Sequence, residues 1–237
     1  MPETSAPTAP RRRASRRGEI VATFTRMVAE HGYDAVAIRD LAEALDMSKG
    51  TVLHHFGSKD RLLEEVHSTY MRRRLDEIAI ILPRLESPEL RLKGLVFQNL
   101  IAMQQDADAT RAFAREIVRF SREELMRDVR AMRREYFDTL RGILTEGMEQ
   151  GVFRRADTTL VALQLFGMMN WTWTWFDPAG GASVEEIART FLATVLHGLE
   201  PGPATGEGGD AELIALVREA IADVAAREAE AAPPARA

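Results

Sequence analysis

The chain has 237 residues, of which 46% are hydrophobic and 28% charged, a composition typical of a globular protein of one or two domains. Its formal net charge of −5 does not favour a polyanionic partner for the molecule as a whole, and the absence of cysteine excludes disulfides, thiolate metal sites and cysteine nucleophiles. Hydrophobic residues recur at helical spacing almost throughout, so we expect an all-α fold of about nine helices.

The first segment, residues 1–17, contains five arginines and three prolines without hydrophobic periodicity. This composition predicts a disordered basic arm, which could contact the minor groove of DNA or be no more than a solvated tail. No continuous apolar segment follows the arginines, so we expect no secretory signal. The apolar stretch from Leu160 to Phe176 is too short and too often interrupted by polar residues for a membrane span, so we expect a cytoplasmic protein without membrane partners.

Residues 18–66 are predicted to form a compact group of short helices. The first of them ends at Gly32, which can adopt a positive φ. A second short helix is followed by a tight turn at Asp46, after which Ser48 is expected to cap a third helix that continues to His55. Two short helices joined by such a turn are typical of a helix-turn-helix.

The segment from Ala37 to Lys59 closely resembles the DNA-binding domain of the tetracycline-repressor (TetR) family of bacterial regulators. The residue pattern is consistent with this resemblance. Val52 and Phe56 lie one helical turn apart and can pack inward, while the polar side chains between them face outward. The resemblance implies a homodimer that binds a palindromic double-stranded DNA operator. It also implies DNA contacts, to base edges or phosphates, at Arg39, Ser48, Lys49, Gly50, Thr51, Leu53, His54, His55 and Lys59.

Three positions depart from the family pattern. Leu53 stands where the family usually has a tyrosine, which removes a phosphate contact. Ala37 replaces the usual Ser or Thr, so an N-cap worth about 1 kcal/mol is lost. Asp46 replaces the usual turn glycine, although Asp tolerates a left-handed conformation better than most residues.

Residues 67–200 are predicted to be helical, and the resemblance implies that they form a ligand-binding and dimerisation domain. The expected N-caps of the longer helices are Ser58, Ser87, Ser121, Asp157 and Ser183. Ser121 and Ser183 each precede a glutamate by three residues, which is the spacing of a capping box. The helix from Asp157 to Phe176 is apolar nearly all round and needs burial on two faces. Because the last two helices commonly form the dimer interface in this family, we place Leu165 and Leu196 there.

The segment from Phe166 to Pro178 resembles a stretch in TetR-family regulators of fatty-acid and sterol breakdown, which respond to acyl-CoA thioesters. The resemblance implies a small apolar effector such as an acyl-CoA, and Arg115 and Arg119 could face its phosphates or simply occupy a solvated helix face. Asn170 should bond either a ligand or a backbone carbonyl. The candidate ligand contacts, each equally compatible with ordinary core packing, are Phe97, Met103, Phe113, Ile117, Phe120, Tyr136, Phe137, Leu140, Phe166, Met169, Asn170 and Trp173.

We expect a ligand-responsive repressor and not an enzyme. The five histidines lack the i, i+4 spacing of a helical metal site, and no nucleophile, phosphate-loop or dinucleotide motif is present, so no metal or cofactor is predicted. The alternative is a helical lipid-binding carrier or enzyme domain whose helix-turn-helix-like start is only an interaction surface. Residues 201–237 are predicted to contain a Gly/Pro-rich linker and an amphipathic segment, 211–230, that either docks or remains a marginal isolated helix.

Overall fold

A computed structural model of the protein describes residues 16–120, 124–199 and 210–231, and this part of the chain is all-α, with no strand. Its helices are α1 (Arg16–His31), α2 (Ile38–Ala44), α3 (Lys49–Phe56), α4 (Lys59–Ile81), α5 (Pro88–Gln105), α6 (Ala107–Phe120), α7 (Arg127–Glu149), α8 (Thr158–Thr172), α9 (Val184–Leu199) and α10 (Asp210–Ala231). Short 3-10 turns occupy Leu82–Arg84 and Glu124–Met126. The predicted fold class is confirmed, and the amphipathic segment near the C-terminus forms a helix beyond the nine expected.

The side-chain caps at the N-termini of several helices lie where the sequence predicts them. Ser48 Oγ accepts a hydrogen bond from Thr51 N at 3.0 Å, and the other expected caps of this kind are made by Ser58, Ser87 and Asp157. Ser183 forms the full capping box with Glu186. The turn between α2 and α3 places Asp46 at φ 52°, the left-handed conformation anticipated there.

Three predicted boundaries are wrong. α7 begins at Arg127, because the preceding 3-10 turn places Met126 in the core and leaves the helix without a side-chain cap; Ser121 lies outside the described residues. α8 ends at Thr172, after which Trp175 N and Phe176 N both bond the Thr172 carbonyl in a turn. The basic arm extends less far than expected, since Arg16 and Arg17 belong to α1, while residues 1–15 and the linker at 202–209 lie outside the described residues.

Helix α5 lies at the centre of the C-terminal part and packs against α4 and every helix from α6 to α10. Its residues from Gly94 to Gln98 are all buried, because neighbours surround it on every side. Helix α10 docks on α4 and α5 through the buried side chains of Leu213, Val217 and Ile221. Helix α1 packs on α6, so the N-terminal helices are held against the C-terminal part as well as being joined to it through α4.

Two glycines of α7 give a matched test of this packing. A Cβ added at Gly147 would overlap the ring of the buried Phe153, whereas a Cβ at the exposed Gly142 would meet no atom within 4 Å. We therefore expect Gly147→Ala to lower the free energy of unfolding by about 1–3 kcal/mol through overpacking. Gly142→Ala should instead raise it by about 0.5–1 kcal/mol through helix propensity. Urea denaturation followed by circular dichroism measures both, and equal effects of the two substitutions would contradict this packing.

Candidate DNA-binding surface and ligand cavity

Helix α3 presents a polar face to solvent from a buried apolar base. Val52 and Phe56 are buried, while Lys49 and Thr51 are exposed. Gly50 and His54 are also exposed, and Leu53 and His55 are half-buried. This is the arrangement that a recognition helix needs to enter a major groove by its N-terminal turns.

The packing of α3 is reinforced by Arg17, whose role the sequence did not reveal. Its guanidinium lies over the Phe56 ring, 4.3 Å from the ring centroid. It donates to the His55 carbonyl at 2.9 Å and to Glu65 Oε2 at 3.0 Å. Arg17 thus links α1 to the end of α3 and to α4.

Two of the predicted DNA-facing cations differ in their surroundings. Arg39, in the first turn of α2, is 84% exposed, and among the described residues its guanidinium pairs only with the neighbouring Asp40. Lys59 is less accessible, because its ammonium donates to the Tyr33 carbonyl at 2.6 Å and lies over the Tyr33 ring. Lys59 therefore anchors the start of α4 on the loop between α1 and α2, a structural role that the sequence did not predict.

A cavity of about 890 Å³ lies among α4 to α8. Of the predicted ligand contacts, its wall contains Met103, Phe113, Tyr136, Phe137, Phe166, Met169, Asn170 and Trp173. Phe97 and Leu140 are fully buried in the core, and neither lines the cavity. The side chains of Ile117 and Phe120 lie outside the described residues.

The sequence missed the contribution of α4 to this wall and the arginines that α7 adds to it. Helix α4 supplies Tyr70, Met71 and Arg74, and α7 supplies three further arginines. The remaining wall residues that were not predicted are Asn99, Thr110, Ala114, Leu163 and Trp171; Gly167 also lines the wall. Asn170 is exposed at the edge of the cavity, and its side chain forms no hydrogen bond with the described residues, so the expected backbone partner is not observed.

One part of the wall is joined to a buried ionic network, which we call the Arg74 cluster: Arg73, Arg74, Glu77, Gln98 and Asp106. Arg74 Nη2 donates to Glu77 Oε1 at 2.8 Å and to Asp106 Oδ2 at 2.7 Å. Gln98 Nε2 donates to Glu77 Oε2 at 2.5 Å and its carbonyl accepts from the Tyr136 hydroxyl at 2.7 Å. The cavity wall is thereby connected to three helices, α4, α5 and α7.

Burial and charge act in opposite directions on the two carboxyls of the cluster. Burial raises the pKa of Glu77 to about 7, even though the Arg74 guanidinium opposes the shift. Burial would also raise the pKa of Asp106, but the charges of Arg74 and Arg73 hold it below its ordinary value. Asp106 is therefore the permanent counter-charge of the two arginines, while Glu77 is only partly ionised near neutral pH.

The arginines of α7 give a different part of the cavity a positive character. They are Arg130, Arg133 and Arg134. Burial lowers the pKa of the Arg133 guanidinium, and no acid among the described residues pairs with it. Arg115, in contrast, does not face a ligand, because it donates to the Ala29 carbonyl at 2.9 Å at the end of α1; the side chain of Arg119 lies outside the described residues.

The N-terminal helices and the C-terminal part of the chain each match a protein-family model. Residues 20–66 match the model of bacterial regulatory proteins of the tetR family, and residues 85–199 match that of the tetracyclin repressor-like C-terminal domain. The chain belongs to the TetR family. The first match contains the surface built around α3, and the second contains most of the cavity wall.

Relatives and solved structures of the TetR family match most of the chain. The HTH-type transcriptional repressor KstR2 of Mycolicibacterium smegmatis is 29% identical over 197 residues, which cover 82% of this chain and 95% of that protein. The TetR-family regulator PfmR from Thermus thermophilus is 30% identical with a TM-score of 0.67, covering 76% of this chain and 98% of that one. AibR, solved in complex with isovaleryl coenzyme A and operator DNA, is 25% identical with a TM-score of 0.69, covering 76% and 97%.

The protein is accordingly a DNA-binding transcriptional regulator of the TetR family, with a cavity for a small ligand in its C-terminal domain. Its curated relatives bear the names of repressors and not of enzymes. Among the described helices, none combines the length and the hydropathy needed to cross a membrane.

Replacing Lys49 or Thr51 by alanine should weaken operator binding by about 1–3 kcal/mol without loss of fold. Lys49 is exposed and has no intramolecular partner among the described residues, and Thr51→Ala keeps the backbone N–H that Ser48 caps. Arg155→Ala, which removes an exposed positive charge far along the chain from α3, is the matched control. Fluorescence anisotropy with labelled operator measures affinity and thermal melting checks the fold. Unchanged affinity in both variants would remove α3 from the DNA interface.

Proposed function

We propose that the protein is a homodimeric repressor, acting in the cytoplasm on chromosomal DNA, that an acyl-CoA releases from a palindromic operator. The observation that carries this proposal is the course of α4. Its capped start lies beside α3, and about 22 Å further along, at 1.5 Å per residue, Arg74 stands in the cavity wall. A ligand that shifts α4 at Tyr70 or Arg74 therefore moves the DNA-binding domain directly.

Release follows from the geometry of a dimer on DNA. Two recognition helices must sit about 34–36 Å apart to enter half-sites one helical turn apart. A ligand that binds more tightly to a conformation with another distance between the recognition helices increases the population of that conformation. The fall in operator affinity is set by the difference between the ligand's affinities for the two conformations. The proposal thus requires two conformations of α4, one that binds the operator more tightly and one that binds the effector more tightly.

The chemistry of the cavity supports a CoA thioester as the effector. Apolar and aromatic side chains supply most of the wall, which suits an acyl chain, and the arginines of α7 could pair with phosphates. Asn170, unpartnered at the edge, is placed to bond a polar group such as the thioester carbonyl. The related AibR was solved with both isovaleryl coenzyme A and operator DNA, which makes this ligand class the first to test.

The homodimer is supported by an exposed apolar surface on α8 and the turn after it. The four large hydrophobic side chains exposed there are Leu160, Leu163, Trp171 and Trp175. Small exposed residues of α9, among them Ala193 and Thr194, would permit close helix packing. Leu165 and Leu196, which the sequence placed on the interface, are buried within the monomer instead.

Operator release is tested with the full chain and labelled DNA from upstream of its own coding sequence. We expect tight binding that saturating decanoyl-CoA weakens at least tenfold, while coenzyme A alone has little effect. Gly167→Leu should abolish the response to ligand and keep DNA binding, because a Cβ at Gly167 points into open space at the cavity wall. Sedimentation of this variant shows whether it still dimerises.

A thermal-shift panel of acyl-CoAs, free fatty acids, steroids and cationic compounds tests the ligand class independently of DNA. Ligand at one hundred times its Kd adds about 2.7 kcal/mol of stability by mass action. If steroids or cationic compounds shift the melting point and CoA thioesters do not, the effector is wrongly assigned. If thioesters bind and no DNA does, the chain is the lipid-binding carrier of the alternative hypothesis.

A further inference from the structure

The helix α3 is short and is anchored at few points. It has eight residues, and the two that are buried, Val52 and Phe56, lie one helical turn apart. The line that joins them therefore runs nearly along the helix axis. Anchors on one such line restrict rotation about it less than they restrict other motions of the helix. Because that rotation would turn Lys49 and Thr51 toward or away from a DNA groove, a contact off this line matters for DNA binding.

Arg17 of α1 supplies a contact of that kind. Its guanidinium carbon lies 4.3 Å from the centroid of the Phe56 ring, and its Nη1 donates to the His55 carbonyl at 2.9 Å. His55 belongs to the last turn of α3, where carbonyls lack partners within the helix and a positive charge is favourable. Arg17 thus holds the C-terminal end of α3 by a side chain and by the main chain of the neighbouring residue.

Glu65 of α4 holds the guanidinium in this place. Its Oε2 accepts a hydrogen bond from Arg17 Nη2 at 3.0 Å, and the two side chains are partly exposed, Arg17 by 48% and Glu65 by 28%. An ion pair this exposed contributes little to the stability of the fold. A carboxylate beside a DNA-binding surface also repels phosphates, so its direct effect on DNA binding is unfavourable. Any favourable effect of Glu65 has to act through the position of Arg17.

We propose that Arg17 and Glu65 are positioning residues for sequence-specific DNA binding. Glu65 orients Arg17, and Arg17 sets the rotation of α3 about its axis, without either residue having to touch DNA. The loss of this pair lowers affinity for the operator, whereas affinity for other sequences, which depends on phosphate contacts, is retained. This inference rests on α3 as the helix that enters the groove, and it is independent of the effector and of the dimer interface.

Fluorescence anisotropy of full-length variants with two labelled duplexes tests the role of Arg17. One duplex is a sequence that the unaltered protein selects from random DNA, and the other is the same sequence shuffled. Arg17→Lys keeps the charge but loses the planar guanidinium that stacks on Phe56 and donates in two directions. We expect it to bind the selected duplex about tenfold more weakly and the shuffled duplex equally well. Arg16→Lys is the matched control, because Arg16 is 70% exposed and pairs with Glu19 of its own helix, and neither affinity should change.

Substitutions of Glu65 separate its hydrogen bond from its charge. Glu65→Ala removes both, and we expect binding to the selected duplex to weaken at least threefold although a repelling charge is gone. Glu65→Gln removes the charge but keeps an oxygen that can accept from Arg17, so it should bind at least as tightly as the unaltered protein. Glu64→Ala is the control for charge, since Glu64 accepts from Ser68 of its own helix, and it should not weaken binding.

A double variant tests whether the two residues act as one unit. Arg17→Lys with Glu65→Ala should bind the selected duplex no more weakly than Arg17→Lys alone, because the interaction is already lost in the single variant. Independent phosphate and charge effects would instead add. Thermal melting verifies that each variant is folded, which the partial exposure of both side chains leads us to expect.

Three results would overturn the proposal. Arg17→Lys binding both duplexes equally weakly would make Arg17 a phosphate contact, and Arg17→Lys binding the selected duplex normally would leave it without a role. Glu65→Ala binding that duplex as tightly as Glu64→Ala would remove Glu65 from the positioning of α3, and this comparison decides the matter even if Arg17→Lys fails to fold. If the unaltered protein selects no sequence, the assignment of α3 as the recognition helix is itself wrong.

Discussion

Placing an aspartate at Val217 should lower the free energy of unfolding by about 3–5 kcal/mol, enough to remove a large part of the stability of an ordinary domain. Val217 is fully buried where α10 meets α4 and α5. An ionised carboxylate there would have no partner and would lose its hydration. Deleting residues 210–237 should be at least as severe, because it uncovers the apolar surfaces of α4 and α5 that α10 now covers.

The effect of α10 extends beyond apolar burial. Glu228 bonds Arg73, which shares Asp106 with Arg74, so α10 is linked through ion pairs to the cavity wall. A second link joins Arg218 to Glu185 at the start of α9. Helix α10 lies beyond the residues that match either family model and supports the C-terminal domain of this chain through both apolar contacts and ion pairs.

Ala222→Asp provides the control for Val217→Asp, because it introduces the same group on the same helix at an exposed position. It should cost no more than about 0.7 kcal/mol, the difference in helix propensity. Urea unfolding of both variants gives the comparison. If Val217→Asp is as stable as Ala222→Asp, α10 does not dock on α4 and α5 in solution.

The short helices near the N-terminus could be predicted because their signals are local. Ser48 caps α3 by accepting a hydrogen bond from a residue three positions away, and the turn at Asp46 requires only a positive φ at that one residue. The inward packing of Val52 and Phe56 follows from one turn of helix. Such interactions need no knowledge of the rest of the chain, so a single sequence contains them.

The cavity could be predicted only in part, because helical spacing marks an apolar face and not what covers it. Phe97 and Phe113 have equally apolar patterns, yet α5 is enclosed on all sides while Phe113 reaches the cavity. Arg74 was missed because its partner Asp106 is 32 residues away, and a charge on a long helix normally faces solvent. The same limit explains why the sequence placed Leu165 on an interface although it is buried within the monomer. Helix α8 is apolar on both its buried and its exposed side, so the pattern does not distinguish them.

The second large effect is expected at the exposed face of α8, where Leu160→Glu should convert the proposed dimer to monomers. Leu160 is 60% exposed and Trp175 is 51% exposed, and neither belongs to the cavity wall, so changes there leave the ligand site intact. A glutamate at either position would place an unpaired charge in an interface that should be dry. Monomers bind half-sites one at a time and lose the effective concentration that linkage supplies, so operator affinity should fall about 100-fold or more.

Sedimentation velocity and operator titration of the same samples decide between an interface and an ordinary exposed apolar patch. Ala222→Glu adds the same charge on α10 and should leave both the sedimentation coefficient and the affinity unchanged. At low protein concentration, Leu160→Glu should melt at the same temperature as the unaltered protein, because the Leu160 side chain contributes little to the core of the monomer. A Leu160→Glu or Trp175→Glu protein that remains dimeric and binds operator normally would show that the two subunits meet through another face, and the release mechanism based on α4 would then need a different axis of motion.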